Sequence, residues 1–161
     1  MNMQKINMQK LIIDTDPGQY IDDILALAFA LQRPELDVKA ITTVTWPSDK
    51  RARMVKRLLR YLGRADIPVA AGMQFPLRPF PEAEARGQYD LARTMNHYSF
   101  SEPEDTRDQP DDLDAIGLII RTIEQHPGEI VLACIGPLTN IACALRRTPE
   151  IAGKIKHSRR P

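Results

Sequence analysis

Residues 10–23 read Lys10-Leu11-Ile12-Ile13-Asp14-Thr15-Asp16-Pro17-Gly18-Gln19-Tyr20-Ile21-Asp22-Asp23, and the reading of this stretch decides the fold. Lys10 to Asp14 is a short apolar run that breaks off into a polar loop containing glycine. That is the pattern of a strand buried in a parallel sheet. From Asp22 the period changes to that of a helix. Ile24, Leu25, Leu27, Ala28, Phe29, Leu31 and Gln32 form a broadly apolar helix that ends before Pro34. A buried strand running through an acidic loop into a helix is the opening unit of an α/β sheet.

The rest of the chain repeats this alternation. Val38 to Val44 is rich in β-branched residues and is predicted as a second strand. Ser48 is expected to cap a basic amphipathic helix with Met54, Val55, Leu58, Leu59 and Leu62 inward, closed by Gly63. Pro68 to Ala71 is a brief strand. A helix is expected from Asp111, with Ile116, Leu118, Ile119, Ile120 and Ile123, ending at His126-Pro127-Gly128. Glu129 to Ile135 is another apolar strand, and Gly136-Pro137 opens a helix through Arg147. The expected fold class is therefore α/β, a mostly parallel, open, doubly wound sheet flanked by helices. Residues 72–110 break the rhythm: five prolines (76, 79, 81, 103 and 110) stand among charges with few aliphatics. They are expected to form a long irregular loop, either a lid over a ligand site or locally disordered. Residues 1–8 read as a ragged extension, 9–156 as the domain, and 157–161 as a tail.

Bulk properties set limits on function. The 22 basic and 21 acidic side chains leave a net charge of +1, which singles out neither nucleic acid nor an anionic membrane. The basic cluster Lys50-Arg51-Ala52-Arg53 with Lys56-Arg57 reads as a solvated helix face. No apolar stretch approaches the ~18 residues of a membrane span. The polar start has no signal-peptide core, so a cytoplasmic location is expected. Cys134 and Cys143 lack CxxC spacing and read as two buried, reduced thiols.

Four aspartates, at 14, 16, 22 and 23, crowd the turn from first strand to first helix, the place where open α/β sheets hold ligands. Packed like charges repel unless a counter-charge is present. A hard divalent cation supplies it, and carboxylates with backbone carbonyls are the donors Ca²⁺ prefers. Gly18 lets the backbone turn sharply and Pro17 stiffens it. The residues equally allow a bland account, with Asp22 and Asp23 favouring a helix start and Asp14 and Asp16 capping loop amides.

LIIDTDPG…DDILALAFAL closely resembles the amino-terminal signature of the inosine–uridine-preferring nucleoside hydrolases, DxDPGxDD followed by a small-residue helix. Ala40-Ile41-Thr42-Thr43-Val44 resembles that family's second strand and Asp66 to Gly72 its third. Ile135-Gly136-Pro137-Leu138-Thr139-Asn140-Ile141-Ala142 resembles its GPLTNIA segment. The resemblance spans roughly residues 9–72 and 111–156. It implies a Rossmann-like nucleoside hydrolase fold, incomplete here, and hydrolysis of the N-glycosidic bond of ribonucleosides in purine and pyrimidine salvage. By position it makes Asp16 and Asp23 ligands of Ca²⁺, together with the Ile135 carbonyl. Asp16 would also be the catalytic base for a Ca-bound water, Asp22 would bind ribose hydroxyls, and Asp14 would support the loop. The chemistry suits these roles, because carboxylates stabilise the positive charge that develops on the sugar, and a cation makes water a nucleophile at neutral pH.

Some positions depart from the family pattern. Gln19-Tyr20-Ile21 separates Gly18 from Asp22, as in a branch of the form DTDxGxDxDD, but Tyr20 stands where that branch is acidic. A phenol does not carry a carboxylate's charge at neutral pH. After the second strand, Thr45-Trp46-Pro47 replaces the usual Gly-Asn or Gly-Asp, and Trp46 offers either a face that stacks a nucleobase or a hydrophobic plug. His97, His126 and His157 read as solvated histidines. The tail His157 to Pro161 falls where the family would continue into a second half. That half carries a further aspartate ligand and a histidine beside the leaving base, so a homo-oligomer or a completing partner chain is expected.

Three functions follow as alternatives: an N-ribosyl hydrolase acting on a ribonucleoside, a truncated and catalytically inactive relative that keeps part of the metal and ribose site, and a haloacid-dehalogenase phosphatase. The last rests on the likeness of Asp14-Thr15-Asp16 to DxDx[TV]. It is weakened by Gly18 at the Thr/Val position and by the idle GPLTN segment.

Overall fold

Strand β1 (Gln9–Thr15) runs down the middle of the sheet, between β2 (Leu36–Thr43) and β4 (Ile130–Cys134), and β3 (Val69–Ala71) lies outside β2. The computed structural model describes residues 8–78 and 106–156. Among them the sheet has four strands in the order β3-β2-β1-β4, and every pairing is parallel. The expected α/β class is what forms. Both faces of β1 are apolar because both are covered: Leu11 and Ile13 pack on one side, Ile12 on the other.

Helices α1 (Asp22–Leu31) and α2 (Ser48–Tyr61) cover the first face, where Leu27, Ala30, Leu31, Val55 and Leu59 meet Leu11, Ile13, Val38, Ile41 and Val69. Helices α3 (Ala115–Gln125) and α4 (Thr139–Arg147) cover the second, where Ile116, Ile119, Ile123 and Ala144 meet Ile12, Ala40, Ala70 and Ile130. The chain lays β2 and β3 to one side of β1, then crosses to place β4 on the other. The switch point of the sheet therefore lies between β1 and β4, at their carboxyl ends. β4 is an edge of the described sheet. Its residues Val131 to Cys134 are only half-buried, and nearby α1 leaves Leu25 and Phe29 exposed.

Several element starts differ from expectation. Ser48 does not cap α2; Pro47 stands at that position, and the buried Ser48 is the first helical residue, its hydroxyl donating to the Gly72 carbonyl at 2.7 Å. α3 begins at Ala115 and not at Asp111. The Asp114 carboxylate caps it by accepting from the amides of Ile116 and Gly117, whereas Asp111 accepts from the Val69 amide at 2.7 Å and pairs with Lys56. α4 begins at Thr139, two residues after Pro137. The cysteines are free but half-buried, not buried.

The basic face of α2 is not simply solvated. Arg57 and Arg60 grip the buried Asp108 carboxylate at 2.7 and 2.9 Å, pinning the 3-10 turn Thr106–Asp108 to the helix. Arg51 is fully buried beneath the aspartate loop. Most of the irregular stretch expected over 72–110 falls outside the described residues, as do His97, His157 and the tail. No helix among the described residues is long and apolar enough to cross a membrane.

Candidate metal and ribose site

Parallel register brings the carboxyl ends of the four strands level. Asp14 lies beside Thr42 of β2 and Cys134 of β4, while Thr43 lies beside Ala71 of β3. The site is assembled on this rim. Asp14 is 1% exposed, and one oxygen of its carboxylate, Oδ1, accepts from Thr42 Oγ1 at 2.6 Å and from Asn140 Nδ2 at 2.8 Å. Its other oxygen, Oδ2, is buried with no hydrogen-bond partner. Asp14 thus braces neighbouring elements and does not cap loop amides.

Burial raises the Asp14 pKa to about 6; hydrogen bonds from Thr42 and Asn140 pull it down, and the charge of Asp16 adds to the rise. A carboxyl whose folded pKa lies above its unfolded value of 3.8 favours the fold when protonated. That contribution is complete below about pH 3.8 and is lost as the pH rises through about 6. The metal-free protein is therefore expected to be more stable at pH 5 than at pH 7.5, with Asp14 contributing about 1.4 kcal/mol of the difference. Urea unfolding at the two pH values, repeated on Asp14→Asn, checks this. A pH slope that the substitution leaves unchanged would refute it.

Beyond β1 the chain turns through Asp16, Pro17 and Gly18, and Gly18 takes φ 121°, a conformation that side-chain-bearing residues rarely adopt. Asp16 is half-buried at the switch point. A Cβ built on Gly136, just past β4, would stand 2.9 Å from Asp16 Oδ1 and 3.0 Å from Val44 Cγ1, so only glycine leaves room for this carboxylate between the ends of β2 and β4. Burial raises the Asp16 pKa, the charge of Asp23 raises it further, Arg51 opposes, and Asp22 adds a smaller rise. Asp23 is half-buried in the first turn of α1, and its Oδ1 accepts from Thr15 Oγ1. Asp22 opens the same helix and is exposed, as is Tyr20.

Ile135 follows β4 directly. Its amide donates to the Asp14 carbonyl at 2.9 Å, which sets the strand end against the aspartate loop, while its side chain stays exposed. Trp46 is half-buried at the end of β2, its amide donating to the Gln74 carbonyl at 2.9 Å. The preceding Thr45 has φ 70°, an unusual conformation for a β-branched residue. Thr45→Gly is expected to remove about 1–2 kcal/mol of strain and to cost about 0.5–1 kcal/mol in chain entropy. The net effect on Tm is a rise of about 2–4 °C, read by calorimetry. A fall would show that the threonine side chain holds this turn.

Two residues that hold the site together did not stand out as single positions in the sequence. Asn140, fully buried in the first turn of α4, donates to Asp14 and to the Thr43 carbonyl at 3.0 Å and accepts from the Met73 amide at 2.8 Å. Arg51 donates to four backbone carbonyls of the loops at the rim. A signal for Arg51 was present, since with Val55 and Leu59 it forms an i, i+4, i+8 stripe on the inward face of α2. His126 takes no part. It sits at the other end of the sheet, 3.3 Å from Lys10 Nζ, where β1 begins.

The donors on the rim are hard. The Cys134 thiol, with its pKa raised to about 11 by burial and by Asp14, stays protonated. That leaves carboxylate and peptide oxygens, the set a hard divalent cation takes. Among the described residues no three acidic, histidine or cysteine side chains gather closely enough to hold an ion. The rim accordingly fits such a cation with only part of a coordination shell.

Residues 11–158 match the family model described as inosine-uridine preferring nucleoside hydrolase. The chain is 35% identical over 153 residues to uridine nucleosidase 1 of Arabidopsis thaliana, covering 92% of this chain and 43% of that protein. It is 38% identical over 150 residues to the pyrimidine-specific ribonucleoside hydrolase RihA of Salmonella arizonae, covering 90% and 45%. Among solved structures, the plant nucleoside hydrolase PpNRh1 superposes with a TM-score of 0.70 at 36% identity, over 91% of this chain and 45% of that one. A purine-preferring ribonucleoside hydrolase from Gardnerella vaginalis gives 0.70 at 26% identity, over 91% and 46%. The chain thus spans less than half the length of these relatives. With a family match across nearly all of its length and relatives more than 30% identical over nine-tenths of it, the chain belongs to the inosine-uridine preferring nucleoside hydrolases.

Proposed function

We propose that this chain carries the metal- and ribose-binding part of a site that hydrolyses the N-glycosidic bond of ribonucleosides, releasing ribose and a free base. The observation that carries the reading is the seating of Asp16 at the sheet's switch point, in a gap only Gly136 leaves open, with Asp23 and Asp22 close enough to perturb it. The relatives named above are hydrolases of uridine, pyrimidine and purine nucleosides, which supports a ribonucleoside as substrate without fixing its base.

Asp16, Asp23 and the Ile135 carbonyl would hold Ca²⁺. When bound, that ion neutralises the crowded carboxylates and lowers the pKa of water. Asp16 takes the proton as water attacks the anomeric carbon, a role that its seat at the rim beside the cation site suits. Exposed Asp22 accepts hydrogen bonds from ribose hydroxyls. Its charge, with that of Asp16, stabilises the cationic sugar as the bond to the base breaks. Trp46 lies at the end of β2, where its ring stacks the nucleobase. Asp14 takes no direct part and holds the rim. On this reading the reaction belongs to nucleoside salvage in the cytoplasm, carried out alone or as part of a larger assembly.

A second reading, an inactive relative retaining cation binding, draws support from the partial shell. Calorimetric titration with Ca²⁺, with Asp16→Ala and Asp23→Ala as controls, tests the metal site; binding indifferent to both changes sinks it. Release of ribose from inosine or uridine then separates a hydrolase from an inactive relative.

A further inference from the structure

Arg51 is 1% exposed and has a place no surface-charge reading gives it. From α2 its guanidinium reaches the ends of two strands at once. Nη1 donates to the carbonyls of Asp16 and Pro17, the latter at 2.8 Å. Nε donates to the Thr45 carbonyl at 3.1 Å and Nη2 to the Trp46 carbonyl at 3.2 Å. All four acceptors are main-chain oxygens in loops, which have no ladder partners to satisfy them. Two of them flank the Pro17 turn that carries Asp16. The other two belong to the turn with the strained Thr45 and the cis Trp46–Pro47 peptide.

We propose that Arg51 is a positioning residue: a buried fork that locks the aspartate loop to the Trp46 loop, so that the carboxylate end and the aromatic end of the site are set as one unit. A guanidinium suits the task because its five N–H donors lie in one rigid plane and serve several acceptors in fixed directions. A lysine ammonium carries the same charge on a flexible stem without the fork. The meaning of Arg51 for catalysis rests on the function proposed above, but the coupling of the two loops belongs to the fold alone.

Charge and geometry predict opposite results, so they can be separated. If Arg51 acted only as a counter-charge to Asp16, its removal would leave more negative charge at the rim and tighten cation binding. If it positions the loops, losing the fork misplaces Asp16 and weakens binding, by about tenfold or more for a residue supporting a ligand from behind.

The experiment uses the full chain as wild type, Arg51→Lys and Arg51→Met. The first readout is hydrogen–deuterium exchange without metal over residues 15–23 and 44–48, with the centres of β1 and β2 as internal controls for folding. The second is Ca²⁺ titration. The expected result is faster exchange in both loop segments together in both variants, with unchanged strand centres, and a Ca²⁺ Kd raised about tenfold or more. Exchange in Arg51→Lys that matches wild type would overturn the proposal, since charge alone would then suffice. So would tighter Ca²⁺ binding by Arg51→Met, or loosening confined to 44–48. A wild-type chain that gives no Ca²⁺ heat ends the metal reading, while the exchange data still decide the role of Arg51.

Discussion

Asp16→Asn is expected to lower turnover of uridine or inosine by about a thousandfold or more while leaving the metal-free fold as stable as before, or more so. The first part follows from the two roles one carboxylate holds in the proposed site. General-base assistance contributes about 10²–10⁴ in rate, and removing the carboxylate also weakens the cation site, so the losses compound. The second part follows from what surrounds Asp16. Its pKa is raised by burial and by Asp23, with Asp22 adding to the rise, so the ionised form is disfavoured in the folded protein. Asparagine keeps the shape that fits against Gly136 and removes the charge. A carboxylate kept for structure would show the opposite pairing, in which stability falls and activity follows it. Steady-state ribose release and thermal unfolding on the same preparations read both quantities. Unchanged turnover in an active chain would remove Asp16 from the chemistry.

Asn140→Ala is expected to cost about 3 kcal/mol of stability, a Tm lower by roughly 10 °C. The side chain makes three hydrogen bonds to three separate places: the Asp14 carboxylate, the Thr43 carbonyl and the Met73 amide. Alanine leaves the Met73 amide without this partner and removes one of the two donors that offset Asp14's burial, while the Thr43 carbonyl keeps the Gly72 amide at 2.8 Å. Each buried group deprived of its partner costs about 1–3 kcal/mol, while the cavity is small enough to relax in part. Asn140→Asp should be no milder, because it sets a second carboxylate against Asp14. Urea unfolding at pH 7.5 gives the number; a loss under about 1 kcal/mol would mean that the bracket is replaceable.

The two residues differ in how far the sequence revealed them. Asp16 was legible because chemistry left a local trace: four aspartates in ten residues at a strand-to-helix turn repel one another unless a counter-charge offsets them. The alternation of strands and helices was legible for a similar reason, since strands buried on both faces keep their apolar runs unbroken. Helix starts were harder. Asp111 and Asp114 are equally plausible caps by sequence, and the choice was made by Val69 and Lys56, more than forty residues away, which engage Asp111. Arg51 was read by its charge, and the neighbours that bury it come from the far ends of two strands. Asn140 lay inside a stretch whose resemblance was clear, but its work is to join residues up to 126 positions apart, and spacing along one segment does not show that. What stays hidden in each case is a partner distant in the chain.

The position of β4 has a consequence for the order in which the molecule comes into being. β1, β2 and β3 lie within the first 71 residues, but the strand that completes the pocket around Asp16 pairs with β1 across about 120 positions. Closing so long a loop is an entropic burden that short-range pairings do not carry, and contacts of that span form slowly. A folding chain can therefore possess all four aspartates, correctly threaded between β1 and α1, before Gly136 arrives to seat one of them. Acquisition of cation affinity during refolding would then report the docking of β4, a clock for the last stage of assembly.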